Sequence, residues 1–227
     1  MKLGILGGMG PLATVNFYKR LVEKTPANND QEHIDTLILS HASMPDRTEV
    51  IEGGSSVKLI DAVKEDLEIF KSANCEFIAI PCNTFHYFYD EVIKYTDIEV
   101  LNMVRVAIEA AEKTFKAGAR IAVLGTKGTI GSKVYEREIN KTSLINVELD
   151  EEVQDLLMSV IYNVKATNVL KQPQVDNIIE KLFEDGRVDG FILACTELSI
   201  IDYQNEYGDR IIDAMDELVN LCIKKCI

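Results

Sequence analysis

The sequence predicts an α/β protein built from two similar parallel-sheet units. Short apolar runs alternate with longer amphipathic stretches, and two motifs recur in the same order at nearly the same spacing. Alternating strands and helices give a parallel sheet with helices on both faces. Residues 3–6, 36–39, 77–80, 121–124 and 190–193 read as buried strands. Each is short, rich in leucine or β-branched residues, and bounded by Gly, Pro or polar residues. Pro11 stands just past the first strand and its glycines, at the first position of a helix. Val57, Ile60, Val63, Leu67 and Phe70 fall three and four residues apart, as on one helix face. Val175, Ile178, Ile179, Leu182 and Phe183 make a complete helical stripe. The acidic run Asp150-Glu151-Glu152 begins a solvated helix.

The recurrence is specific. Leu6-Gly7-Gly8-Met9-Gly10-Pro11 matches Leu124-Gly125-Thr126-Lys127-Gly128-Thr129, and Ile78-Ala79-Ile80-Pro81-Cys82-Asn83-Thr84 matches Phe191-Ile192-Leu193-Ala194-Cys195-Thr196-Glu197. The offsets of 118 and 113 residues are nearly equal. In each half a strand ending in glycines precedes a strand ending in cysteine, which implies a duplicated unit with a boundary near Asn102.

Composition narrows the function. The 227 residues carry 24 Lys+Arg against 37 Asp+Glu, a net charge of −13 that argues against a nucleic-acid binder. No apolar run approaches the roughly 20 residues that span a bilayer, so no membrane partner is expected. The glycine-interrupted N-terminus reads as a strand rather than a signal segment. Five cysteines without tight spacing suit reduced thiols and a cytoplasmic location. The glycines after the first strand miss the G-x-G-x-x-G spacing of a dinucleotide site.

Cys82 and Cys195 carry the chemistry. Each lies just past the carboxyl end of a strand, where open α/β sheets place ligands. Asn83 and Thr84 after one, and Thr196 after the other, read as caps of following helices, whose ends would stabilise a thiolate. Cys75, Cys222 and Cys226 read as small buried hydrophobes. With only His33, His41 and His86 in the chain, a metal site is not expected. Two equivalent thiols match the needs of a racemase, which removes a proton from one face of a stereocentre and returns one to the other. Asn83, Thr84, Thr126 and Thr196 offer donors for a substrate α-carboxylate. His86, one turn past Cys82, reads as a surface helix residue or a modulator of that thiol. Glu197 reads as a partner of Cys195 or as an acidic first-turn residue.

Gly7-Gly8-Met9-Gly10-Pro11, Pro81-Cys82-Asn83-Thr84 and Ala194-Cys195-Thr196-Glu197-Leu198-Ser199 together resemble the aspartate racemase branch of the aspartate/glutamate racemase superfamily. The resemblance spans essentially the whole chain. It implies two pseudo-symmetric α/β domains, 1–101 and 102–212, with the active site in the cleft between them and a C-terminal helix, 213–227, packed back on the first. It implies a homodimer that uses neither pyridoxal phosphate nor metal. Cys82 and Cys195 match the family's catalytic pair. Arg47 and Lys165 match its basic substrate contacts, and Met9 matches a further contact. Glu197 stands where glutamate racemases usually carry His, which favours an acidic substrate of the aspartate type. Glutamate or broad amino-acid specificity is the alternative within the fold, and a non-catalytic small-ligand-binding protein is the alternative outside it.

Overall fold

A computed structural model of the chain describes residues 1–167, 169, 172–184, 186–200 and 208–227. They divide into two compact units, Met1–Met103 with Met215–Ile227, and Val104–Ala214.

Unit 1 runs β1 (Lys2–Gly7), α1 (Pro11–Lys24), β2 (Asp35–Ser40), α2 (Arg47–Ile51), α3 (Val57–Ser72), β3 (Phe77–Ala79), α4 (Tyr89–Val92) and β4 (Glu99–Leu101). Then α5 (Met103–Thr114) leads into unit 2, which holds β5 (Arg120–Gly125), α6 (Lys127–Gly131), α7 (Val134–Ile139), β6 (Ile145–Val147), α8 (Glu151–Thr167), α9 (Gln172–Glu184), β7 (Gly190–Ala194) and β8 (Ile211–Asp213). The last helix, α10 (Ala214–Cys226), returns to unit 1.

Both sheets are parallel and share one strand order, β2-β1-β3-β4 and β6-β5-β7-β8. The two sequence repeats therefore occupy equivalent places: β1 matches β5, and β3 matches β7. β1, β5 and β7 are sheet-central and buried along almost their whole length, so they are written as continuous apolar runs. Leu6, Phe70, Ile78 and Phe85 lie in the core of unit 1, and Leu124, Leu157, Ile178 and Phe191 in that of unit 2. The three-residue strands β4, β6 and β8 have no counterpart among the sequence-predicted strands. Each lies at a sheet edge, too short to present a hydrophobic period.

The turn after β1 is held by α1. Thr14 Oγ1 accepts from the Gly8 N–H at 2.8 Å and donates to Gly10 O at 3.1 Å. Gly8 has φ +89°, and a Cβ there would collide with the backbone of His41. Pro11 opens α1 at its first position. The solvated helix expected from Asp150-Glu151-Glu152 is α8, whose opposite face buries Val153, Leu157, Val160, Ile161 and Val164. Among the described residues no helix is long and apolar enough to cross a membrane.

Candidate active site

The two cysteines follow equivalent strands of their own units, one residue beyond β7 for Cys195 and three beyond β3 for Cys82. Both are buried, at 6% exposure for Cys82 and 5% for Cys195.

In unit 1, Asn83 and Thr84 are buried beside Cys82 in the chain and lead into a short 3-10 turn, Thr84–Phe88. His86 is not on a helix surface as the sequence suggests. It is buried, its Nδ1 lies 2.9 Å from Cys82 O, and its Nε2 accepts from the Met103 N–H at 3.0 Å. An imidazole that accepts at Nε2 must donate from Nδ1, so the ring is neutral and clamps the Cys82 carbonyl to the start of α5. Burial pushes its pKa down, against the pull of backbone bonds at Cys82 and Leu101. Met9 is buried in the same core cluster as Cys82, Met44 and Phe85. Arg47 begins α2, capped by Asp46, whose Oδ1 accepts from the Thr48 and Glu49 N–H groups. Its Nη1 donates to Pro45 O at 2.9 Å and Met44 O at 3.3 Å, while its buried Nε has no hydrogen-bond partner among the described residues.

In unit 2, Cys195 Sγ donates to Glu197 Oε2 at 3.0 Å, and Thr196 Oγ1 donates to the same oxygen at 3.3 Å. Burial pushes the Cys195 thiol well above its usual pKa, and the Glu197 carboxylate adds to this; the charge of Lys165 opposes it. The sequence expectation of a thiolate favoured by a helix end is thus corrected. Both cysteines are followed by 3-10 turns, Thr84–Phe88 and Leu198–Ile200, and neither turn provides an α-helical macrodipole. Lys165 is exposed in the last turn of α8, its Nζ 5.6 Å from the Tyr162 ring centroid. Thr126 caps α6, its Oγ1 accepting from the Thr129 N–H at 3.1 Å. Thr196 is buried.

Sequence reasoning missed a polar group behind Cys195. Ser199 Oγ donates to Asp213 Oδ1 at 2.7 Å, and the buried Tyr135 phenol is pushed up by burial, then by Asp213 and Cys195. Tyr135 and Asp213 are far from Cys195 in the chain, so no local spacing signals them. A cavity of about 420 Å³ in this unit is lined by Lys127, Thr129, Tyr135, Glu148 and Gln154 among others, and by neither cysteine. Among the described residues no cluster of three or more His, Cys, Asp or Glu side chains is arranged to hold a metal.

Paired parallel sheets with a cysteine past the same strand of each define the class of protein. The Asp/Glu/hydantoin racemase model matches residues 6–222, and the chain belongs to that family. The broad specificity amino-acid racemase RacX of Bacillus subtilis (strain 168) is 27% identical over 207 residues, 88% of this chain and 86% of its own length. A glutamate racemase of Helicobacter pylori (strain Shi470) is 27% identical over 146 residues, and the match spans about half (55%) of that protein. Among solved structures, the aspartate racemase of Picrophilus torridus superposes with a TM-score of 0.85 at 27% identity, covering 99% of this chain and 94% of that one. An aspartate racemase homologue from Pyrococcus horikoshii OT3 has the same fold, with a TM-score of 0.79 at 23% identity over 99% and 98% of the two chains.

Proposed function

We propose that this racemase acts on a small acidic amino acid, aspartate first, without a cofactor, using Cys82 and Cys195 as its two acid–base groups. The observation that carries the reading is the equivalent placing of the two thiols, each just past the same strand of a duplicated sheet. In one direction a thiolate takes the Cα proton and becomes a thiol. The carbanion electron pair then accepts a proton from the second thiol, which is left as thiolate. The product has the opposite hand and the roles of the cysteines are exchanged. No electrons leave the system, so no redox partner is required.

Asn83, Thr84, Thr126 and Thr196 supply donor types suited to the α-carboxylate, where negative charge grows on deprotonation. Arg47 and Lys165 supply the cations for a distal carboxylate, and Met9, buried in the core cluster that holds Cys82, is a further substrate contact. The likeness to a broad-specificity racemase favours one second reading, a wider amino-acid range on the same two thiols.

The test is racemisation and solvent exchange across an amino-acid panel in deuterated water, with reduced, metal-free protein. Aspartate should gain deuterium at Cα and lose optical activity. Cys82→Ala and Cys195→Ala should each lower racemisation by about 10²–10⁴-fold, the usual contribution of a positioned acid or base. Near-normal racemisation by either variant would exclude the two-thiol mechanism.

A further inference from the structure

The roles given above leave the substrate's α-ammonium without an acceptor, and they leave one buried carboxylate without a task. Asp66 shares the buried face of α3 with Leu59, Val63, Leu67 and Phe70, and its side chain is 6% exposed. Both of its oxygens meet a single group, His41 Nδ1, at 2.8 and 3.1 Å. Burial pushes the Asp66 carboxyl above its ordinary pKa, and the imidazole pulls it back. A buried carboxylate–imidazole contact of this kind contributes little net stability compared with an apolar pair of the same volume.

The place of the pair is informative. His41 is the first residue after β2, its N–H donates to Gly7 O at 3.2 Å, and its backbone packs against Gly8 too closely for any Cβ there. It therefore stands at the C-terminal edge of the unit 1 sheet, against the glycine turn. The order β2-β1-β3 sets β3, the strand that leads into Cys82, two strands away, about 10 Å at ~4.8 Å per strand. The carboxylate at Nδ1 fixes the tautomer, leaving the lone pair on Nε2. Nε2 makes no hydrogen bond among the described residues, and a quarter of the side chain is open to solvent. The pair places a carboxylate-backed imidazole at this edge, and with Nδ1 donating to Asp66 its Nε2 is an acceptor.

We infer that His41 is a substrate-binding residue whose Nε2 accepts a hydrogen bond from the α-ammonium of the amino acid, with Asp66 as its positioning residue. The inference rests on the racemase reading of the same sheet edge. A carboxylate-backed imidazole selects a cationic donor, so it distinguishes an amino acid from the corresponding plain dicarboxylate.

The test compares aspartate with succinate, which is aspartate without its ammonium. His41→Ala should raise KM for aspartate about tenfold or more, as expected on losing a hydrogen bond to a charged group, with a smaller change in kcat. The inhibition constant of succinate should stay within about twofold. Asp66→Asn should reproduce the KM effect, because it removes the charge that fixes the tautomer. Should Asp66→Asn not fold, the double variant His41→Leu with Asp66→Leu keeps the volume in apolar form and should show the same split between substrate and inhibitor. Wild-type kcat/KM in His41→Ala overturns the inference, as does equal weakening of succinate and aspartate. A parent protein that racemises normally beside an indifferent His41 overturns this inference alone. A parent that binds and exchanges no amino acid overturns the racemase reading and this inference with it.

Discussion

The Cys195 thiol lies against a carboxylate, that of Glu197 at 3.0 Å. A carboxylate acceptor stabilises S–H over S⁻, so it raises the pKa of the thiol on top of the effect of burial. Replacing Glu197 by Gln keeps an acceptor but removes the charge. The pH midpoint for alkylation of Cys195, followed by mass spectrometry in a Cys82→Ser background, should then move to lower pH; an unmoved or higher midpoint would show that the carboxylate does not control this thiol. Arg47 and Lys165, proposed above to hold the distal carboxylate, allow a second expectation. Arg47 is half-buried with an unpartnered Nε, and Lys165 is near enough to Cys195 for its charge to act on the thiol. A carboxylate bound by such groups gains roughly 1.5–3 kcal/mol per charged hydrogen bond. Arg47→Ala or Lys165→Ala should lower kcat/KM for aspartate about tenfold or more and affect alanine less, measured by polarimetry. Equal losses for the two substrates would remove both residues from side-chain recognition. The residue types at the two strand ends were legible in the sequence because they recur at equivalent sites. The environment of His86 was not, since its burial depends on Met103, which lies 17 positions away and pairs with it only in three dimensions.

At the level of elements, most strands that could be read are those whose burial leaves a continuous apolar run; β2 was also read as buried from its apolar residues, but it is an edge strand with Ile38 exposed and Leu37 and Leu39 only partly buried. β1, β5 and β7 fall in the first class; the edge strands β4, β6 and β8 pair only three residues each and carry no period. The same limit applies to the turns after the cysteines. Asn83 and Thr196 are residue types that cap α-helices, yet the following segments tighten into 3-10 turns, because tertiary packing overrides a one-residue capping signal. The glycine turn after β1 was readable, because its spacing and Pro11 both mark a break. Its constraint is severe: Gly8→Ala would need a positive φ and would meet the His41 backbone. The strained φ alone costs about 1–3 kcal/mol. This substitution should lower the Tm of the protein by several degrees and weaken substrate binding, as followed by calorimetry. An unchanged Tm would mean that the turn relaxes without cost.

On the scale of the whole molecule, the chain leaves unit 1 at Met103 and returns to it at Met215. Unit 2 is one continuous stretch, whereas unit 1 also includes α10. Met215, Leu218, Val219 and Cys222 of α10 are fully buried, and Asp216 pairs with Arg20 at 2.6 Å and Lys24 at 2.9 Å. Burying one such apolar side chain stabilises by about 1.5–3 kcal/mol, and a domain's net stability is only about 5–15 kcal/mol. Deleting residues 214–227 should therefore expose the amides of β1, β2 and β3 to rapid hydrogen exchange while β5 and β7 stay protected. Retained protection of β1 would show that unit 1 does not depend on α10.

The same route of the chain has a mechanical meaning. The first and last segments are tied to each other within unit 1, through Arg20 and Lys24 on α1 and Asp216 on α10. A pulling force applied at the two ends is borne by that tie. Along the chain, unit 2 is the stretch 104–214 enclosed between the two tied segments, and it carries no tension until the tie gives way. Stretched in an optical trap, the molecule should lengthen first by the contour of unit 1, and only afterwards by that of the unit it encloses.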